Sequence, residues 1–124
     1  SLVTISDALA LIELKACSWF NIRLSKNGGF LKSKKIFELG KKAGIKVQIG
    51  GHFGESDILE AARRHFAFGA PKIDSFEGGT VTFFQEHVTQ PSLSFKDNLL
   101  ARIESVNAPG LGINLKNKYL KSFK

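Results

Sequence analysis

Trp19-Phe20-Asn21-Ile22-Arg23-Leu24-Ser25-Lys26-Asn27-Gly28-Gly29 is an apolar run that stops at a lysine and turns through two glycines. Residues 19–24 read as a strand closed by that turn. The same grammar recurs along the chain. Lys46-Val47-Gln48-Ile49 reads as a strand ended by Gly50-Gly51, and Lys72-Ile73-Asp74 as a third, with Gly78-Gly79 beyond it. The strands begin near 20, 46 and 72, a spacing of 26 residues. The segments between them carry helical periodicity. Ser33 to Ala43 sets Ile36, Phe37 and Leu39 against a lysine face and stops at Gly44. Ser56 to Phe68 turns Ile58, Leu59, Ala62 and Phe66 inward and is closed by Gly69 and Pro71. A strand, a loop and a helix at a fixed period predict parallel βα units, because parallel strands need a crossover of about a dozen residues or more.

A helix leads the series. Thr4 or Ser6 can cap it, Asp7 stands in its first turn, and Ala8, Leu9, Leu11, Ile12 and Leu14 supply its apolar positions. After residue 80 the period is lost. Thr80 to His87 reads as a short helix, while Leu93-Ser94-Phe95 and Leu99 to Ile103 read as extended segments. Pro109-Gly110-Leu111-Gly112 is a turn before Ile113-Asn114-Leu115 and a lysine-rich end. This last part is expected to pack back on the βα units. Three units are too few to close a (β/α)₈ barrel, which takes about 250 residues.

The chain has 124 residues, 43% of them hydrophobic and 23% charged, which suits one globular unit. No apolar stretch nears the roughly 18 residues that read as a membrane span. The start shows no basic-then-apolar leader, and the absence of Met points to a trimmed chain. Cys17 is the only cysteine, so no internal disulfide forms and a cytoplasmic setting is expected. The net charge of +7 comes largely from Lys32, Lys34, Lys35, Lys41, Lys42 and Lys46 and from Lys116, Lys118, Lys121 and Lys124. These lysines are not interleaved with aromatic stacking platforms, which argues against nucleic acid. A solvated helix face accounts for them as well as an anionic partner does.

Functional groups in parallel βα architectures gather at the C-terminal ends of the strands. Those positions supply Lys26, the loop Gly50-Gly51-His52-Phe53-Gly54-Glu55-Ser56, and Asp74. An amine, an imidazole and two carboxylates suit acid/base work on a small polar substrate. Plainer readings stand beside each. Lys26 can be a solvated lysine, Glu55 can simply complement a helix N-terminus, and His52 can be an ordinary loop residue. His65 falls within a helix and His87 in the irregular tail. The three histidines and Cys17 have no zinc spacing, and no phosphate-loop, dinucleotide or serine-nucleophile motif is present.

The segment Phe20 to Gly29 resembles the sixth strand of the enolase superfamily, in its mandelate racemase and muconate lactonizing branch. Gln48 to Ser56 and Ile58 to Ala67 resemble the seventh strand and the helix after it, and Pro109-Gly110-Leu111-Gly112-Ile113 resembles the C-terminal Pro-Gly-Leu-Gly-Val turn. The resemblance covers nearly the whole chain. It implies an α/β fold that is part of a TIM barrel. Residues 1–124 would be the C-terminal part, from the fifth helix through strands six to eight, without the capping domain and first barrel half. It implies a parent that removes the proton α to a carboxylate, as a racemase, epimerase, cycloisomerase or lyase, with Mg²⁺ stabilising the enediolate. The three metal-binding carboxylates would precede Ser1, so this chain would hold no metal and be inactive alone. Lys26 would be one acid/base, while Glu55, Asp74 and His52 would face the substrate. Asp74 is followed by Ser75 and Phe76 where dipeptide epimerases carry Asp-X-Asp, which departs from that substrate class. Asn27 stands where Cys is frequent, a change of little mechanistic weight. The cut sheet would have two unpaired edges, so a homo-oligomer is expected. The other reading of the residues is a non-enzymatic basic βα domain that binds an anionic partner.

Overall fold

The computed structural model describes residues 2–90, 93 and 109–120. Helix α1 runs Ile5–Glu13, strand β1 Trp19–Ile22, helix α2 Phe30–Lys42, strand β2 Lys46–Ile49, helix α3 Asp57–Gly69 and strand β3 Ser75–Phe76. A 3-10 turn at Thr80–Phe83 follows, then strand β4 Thr89–Gln90, strand β5 Asn114–Leu115 and the single turn α4 Asn117–Leu120. The βα reading holds. β1, β2 and β3 form a parallel sheet in chain order, with Phe20 beside Val47, Ile22 beside Ile49 and Ile49 beside Phe76.

Alternation along the strands sorts the two faces. Phe20, Ile22, Val47 and Ile49 are buried and meet Ile36 and Phe37 of α2 and Ala62 and Phe66 of α3. Trp19, Asn21 and Lys46 are exposed and Gln48 half-buried on the opposite face. The helices therefore cover one side of the sheet and leave the other open. α2 lies unusually close to β1, because Gly40 has no side chain. A Cβ there would stand 2.8 Å from Cδ2 of Phe20.

Thr4 caps α1 through a reciprocal box. Its Oγ1 accepts from Asp7 N at 3.1 Å while Asp7 Oδ2 accepts from Thr4 N at 2.8 Å. α2 starts at Phe30, three residues before the sequence reading, because Gly29 takes the capping position at φ 85°, which favours glycine.

The third strand is also displaced. It lies at Ser75–Phe76 and not at 72–74, since Pro71 supplies no N–H and Lys72 turns the chain at φ 57°. The inward face of α3 differs as well. Ala62 and Phe66 are buried as expected, but Ile58 is 40% exposed and the charged Glu60, Arg63 and Arg64 are buried instead.

The C-terminal part packs back on α3. β4 and β5 pair antiparallel, with Thr89 opposite Leu115. Asp57, in the first turn of α3, accepts from Val88 N at 2.9 Å and meets His87 Nδ1 at 2.7 Å. His65 Nε2 bonds the carbonyl of Leu111 at 3.0 Å, which ties the 109–112 turn to the same helix. Leu93 is buried against Ala61, and Leu111 and Ile113 pack around them. The expected short helix at 80–87 is a 3-10 turn of four residues. The extended segment at 99–103, and residues 94–95, lie outside the described residues.

Candidate functional site

Three loops leave the C-terminal ends of β1, β2 and β3, and they converge. Ser25 comes from the first, His52 and Glu55 from the second, Glu77 from the third. Ser25 Oγ donates to Glu55 Oε1 at 2.8 Å and lies 3.0 Å from His52 Nδ1. A hydroxyl has one proton. With that proton on Glu55, Ser25 must accept from His52, so Nδ1 carries the hydrogen. The neutral imidazole then has its lone pair on Nε2, and the ring, 42% exposed, is accessible to a ligand.

Glu55 is nearly buried, and its Oε2 lies 3.3 Å from Nε of the fully buried Arg63. Glu55 thus has a partner in Arg63 besides its place before α3, whose first turn carries Asp57 and Glu60. Arg63 also donates from Nη1 to the Glu77 carbonyl at 2.7 Å and from Nη2 to Glu60. Arg64 Nε takes the other Glu60 oxygen at 2.9 Å. The Glu77 carboxylate rests over the second loop, with Oε2 3.4 Å from Gly51 N and 3.5 Å from Gln48 Nε2.

The sequence-predicted residues divide. His52 and Glu55 stand together at the strand ends. Lys26 is half-buried in the turn after β1. It lines a cavity of about 350 Å³ with Thr4, Ser6, Gly28 and Lys32, at the N-terminus of α1. The residue directly after β1 is Arg23, which alternation places with Trp19 and Asn21. Its Nε is buried and has no hydrogen-bond partner among the described residues.

Asp74 requires a correction. It precedes β3 and so lies at the opposite end of the sheet from His52 and Glu55. There it accepts from Val47 N at 2.7 Å and pairs with Lys41 Nζ at 3.0 Å. The Val47 N–H and then Lys41 hold its carboxyl below the usual range. The displaced third strand accounts for this, because a start three residues later brings Glu77 to the strand end. Glu77 was missed for that reason, and the Gly78-Gly79 pair directly after it was the available signal.

Asn27 is more than a neutral replacement. Buried at 2% exposure, it accepts from Arg23 N at 2.8 Å and donates to the carbonyls of Leu2 and Val3 at 3.3 and 3.0 Å. It ties the Lys26 turn to the segment that enters α1. A larger cavity of about 460 Å³, lined by Phe30, Phe37, Phe66 and Pro71, opens between α2 and α3, away from the strand-end groups.

Among the described residues no three carboxylate, imidazole or thiol groups converge as a metal centre. The described donors therefore do not by themselves make a Mg²⁺ site. No helix among the described residues is long and apolar enough to cross a membrane.

Comparison with known proteins gives these strand ends a context. The chain is 31% identical to a D-Ala-D/L-Ala epimerase of Cytophaga hutchinsonii, over 92% of its own length and 30% of that protein. It is 32% identical to muconate cycloisomerase 1 of Rhodococcus opacus, over 99% of its length and 32% of the relative. It thus spans about a third of the curated relatives it matches. A dipeptide epimerase from Cytophaga hutchinsonii, solved with Mg and the dipeptide D-Ala-L-Val, superposes with a TM-score of 0.75 at 25% identity, covering 97% of this chain and 32% of that one. A muconate lactonizing enzyme shares the fold at a TM-score of 0.84 and 23% identity, covering 99% of this chain and 33% of that one. Residues 1–119 match the family described as "Enolase C-terminal domain-like", and the chain belongs to that family, in its mandelate racemase and muconate lactonizing branch.

Proposed function

We propose that this chain supplies strands six to eight of a partial TIM barrel, in a Mg²⁺-dependent enzyme that moves the proton α to a substrate carboxylate. The observation that carries the reading is the convergence of Ser25, His52, Glu55 and Glu77 at three adjacent strand ends, in a chain whose relatives are named epimerases and cycloisomerases. The substrate is a small carboxylate, with Glu55 and His52 at its binding surface. Asp74 has no place there. The metal and its carboxylates would come from outside this chain.

Lys26 is the proposed acid/base. An amine can give and take the α-proton, and its place in the turn after β1 keeps it near the strand ends. A second reading has its own observation. Arg23, not Lys26, directly follows β1 in the alternation of Trp19 and Asn21, and a guanidinium cannot serve as a base near neutral pH. Arg23 would then hold the substrate carboxylate, and His52, with its lone pair on Nε2, would take the proton.

One experiment separates the two. The full-length protein is incubated in D₂O with Mg²⁺ and a panel of dipeptides and N-acyl amino acids, and α-deuterium is read by NMR. Loss of exchange in Lys26→Met with retention in His52→Gln supports the first reading, and the reverse pattern supports the second. No exchange by the full-length wild type with any of these substrates would count against the proposed reaction. The chain alone is expected to exchange nothing.

The basic-module alternative loses ground at particular lysines. Lys34 pairs with Glu38, Lys41 with Asp74, and Lys46 lies over the Trp19 ring, so these three cations already have partners within the chain.

A further inference from the structure

We propose that Arg63 is the positioning residue of the strand-end site, a role that rests on the proton-transfer reading above only for its effect on catalysis. Arg63 sits on α3, fully buried, behind the loops and not among them. From there it contacts the second and third directly and the first through Glu55. Nε faces Glu55, which holds Ser25 of the first loop and stands 3.5 Å from His52 of the second. Nη1 binds the backbone carbonyl of Glu77 in the third. The guanidinium also lies 5.8 Å from the Phe76 ring at the end of β3.

The second loop is built around this side chain. A Cβ on Gly51 would fall 2.1 Å from Nη1, so any larger residue there would push the guanidinium from its place. The charge count closes. Glu55 and Glu60 face Arg63 and Arg64, two carboxylates against two guanidiniums in a buried setting. Isolated buried ions are strongly disfavoured, so each member depends on the others. A planar fork can meet Glu55, Glu60 and Glu77 at once, which a lysine ammonium on a single stem cannot.

The consequence reaches His52. With Glu55 held beside Arg63 by their ion pair at 3.3 Å, the Ser25 proton is committed to Glu55 and the His52 hydrogen to Nδ1. Releasing Glu55 removes that commitment. Arg63 touches no substrate-facing space, so its effect on catalysis passes through Glu55, Ser25 and His52.

The test uses the full-length protein with ¹⁵N-labelled histidine, the His52 signal being assigned by its loss in His52→Gln. The wild type is expected to show His52 in the Nδ1–H form, and Arg63→Met and Arg63→Lys to show mixed tautomers. Gly51→Ala displaces the same guanidinium while keeping its charge in the protein, and it keeps the test open should the Arg63 variants fail to fold. Where His52 takes the proton, as in the second reading above, kcat for α-proton exchange is expected to fall at least 30-fold with KM changed less than threefold. A folded Arg63 variant or Gly51→Ala protein that keeps the wild-type His52 tautomer would overturn the proposal. So would a loss carried by KM alone. The tautomer readout needs no turnover, so a failure of the proposed reaction would be seen separately.

Discussion

Ser25 holds one hydroxyl proton, and two neighbours compete for it. That limit makes a small side chain decisive, because the Ser25–Glu55 bond sets which nitrogen of His52 carries hydrogen. Where His52 takes the proton, Ser25→Ala should therefore lower α-proton exchange by about 10²-fold, the scale of a general acid/base contribution, while leaving thermal unfolding nearly unchanged at this exposed position. Asn27→Ala should do the opposite. Its amide serves one N–H and two carbonyls in a buried place, so about 1–3 kcal/mol of stability should be lost in urea unfolding. His52 and Glu55 were legible as loop residues between a strand and a helix, since Gly50-Gly51 marks the strand end. Arg63 was not legible. Charges on a helix read as a solvated face, and only the fold reveals that Glu60 meets both Arg63 and Arg64 out of water.

At the scale of elements, the period of 26 residues carries the βα order, but local chemistry decides where each element begins. Gly29 and Pro71-Lys72 shift a helix and a strand by three residues each, and the second shift takes Asp74 away from the site. β4 and β5 are two residues each, too short for any alternation to show. The α2–β1 approach makes its own prediction. Gly40→Ala would press a methyl into the Phe20 ring and should cost about 1–3 kcal/mol, read as a lower urea midpoint. The capping box of α1 predicts an acid response. Backbone N–H groups of Thr4 and Val3, with the Thr4 hydroxyl, hold the Asp7 carboxyl below its ordinary value. A carboxylate depressed in the folded state adds stability above its unfolded pKa of about 3.9, and that stability is lost as pH falls through the lower folded value. Asp74, depressed by Val47 and Lys41, acts in the same window and sense. Asp7→Asn should flatten the acid limb of a stability-against-pH curve, and an unchanged limb would refute the capping contribution.

Among the described residues the sheet of the molecule has one face covered by helices and one open face. β1 and β3 are its edges, each paired on one side only among the described residues. In a closed barrel those edges would pair with further strands, and the open face, with Trp19 44% exposed, would be filled by side chains from across the barrel. Three strands would be the share of an eight-stranded barrel expected of a chain that spans about a third of its relatives. Such a piece has strong reasons to associate. Unpaired strand edges template further pairing, and Trp19, Phe53 and Phe83 present apolar surface at the strands and at the loops beyond their C-terminal ends. We therefore expect this chain by itself to form a homo-oligomer, with mass by light scattering rising across micromolar concentrations. Charge placed at the edge should oppose it. Phe76→Lys disturbs the last residue of β3 and would confuse folding with association. Trp19→Lys on the open face keeps the buried Phe20 and Ile22 in place, and should shift the species toward monomer. A wild-type chain that stays monomeric throughout that range would show that its edges are already satisfied within one copy.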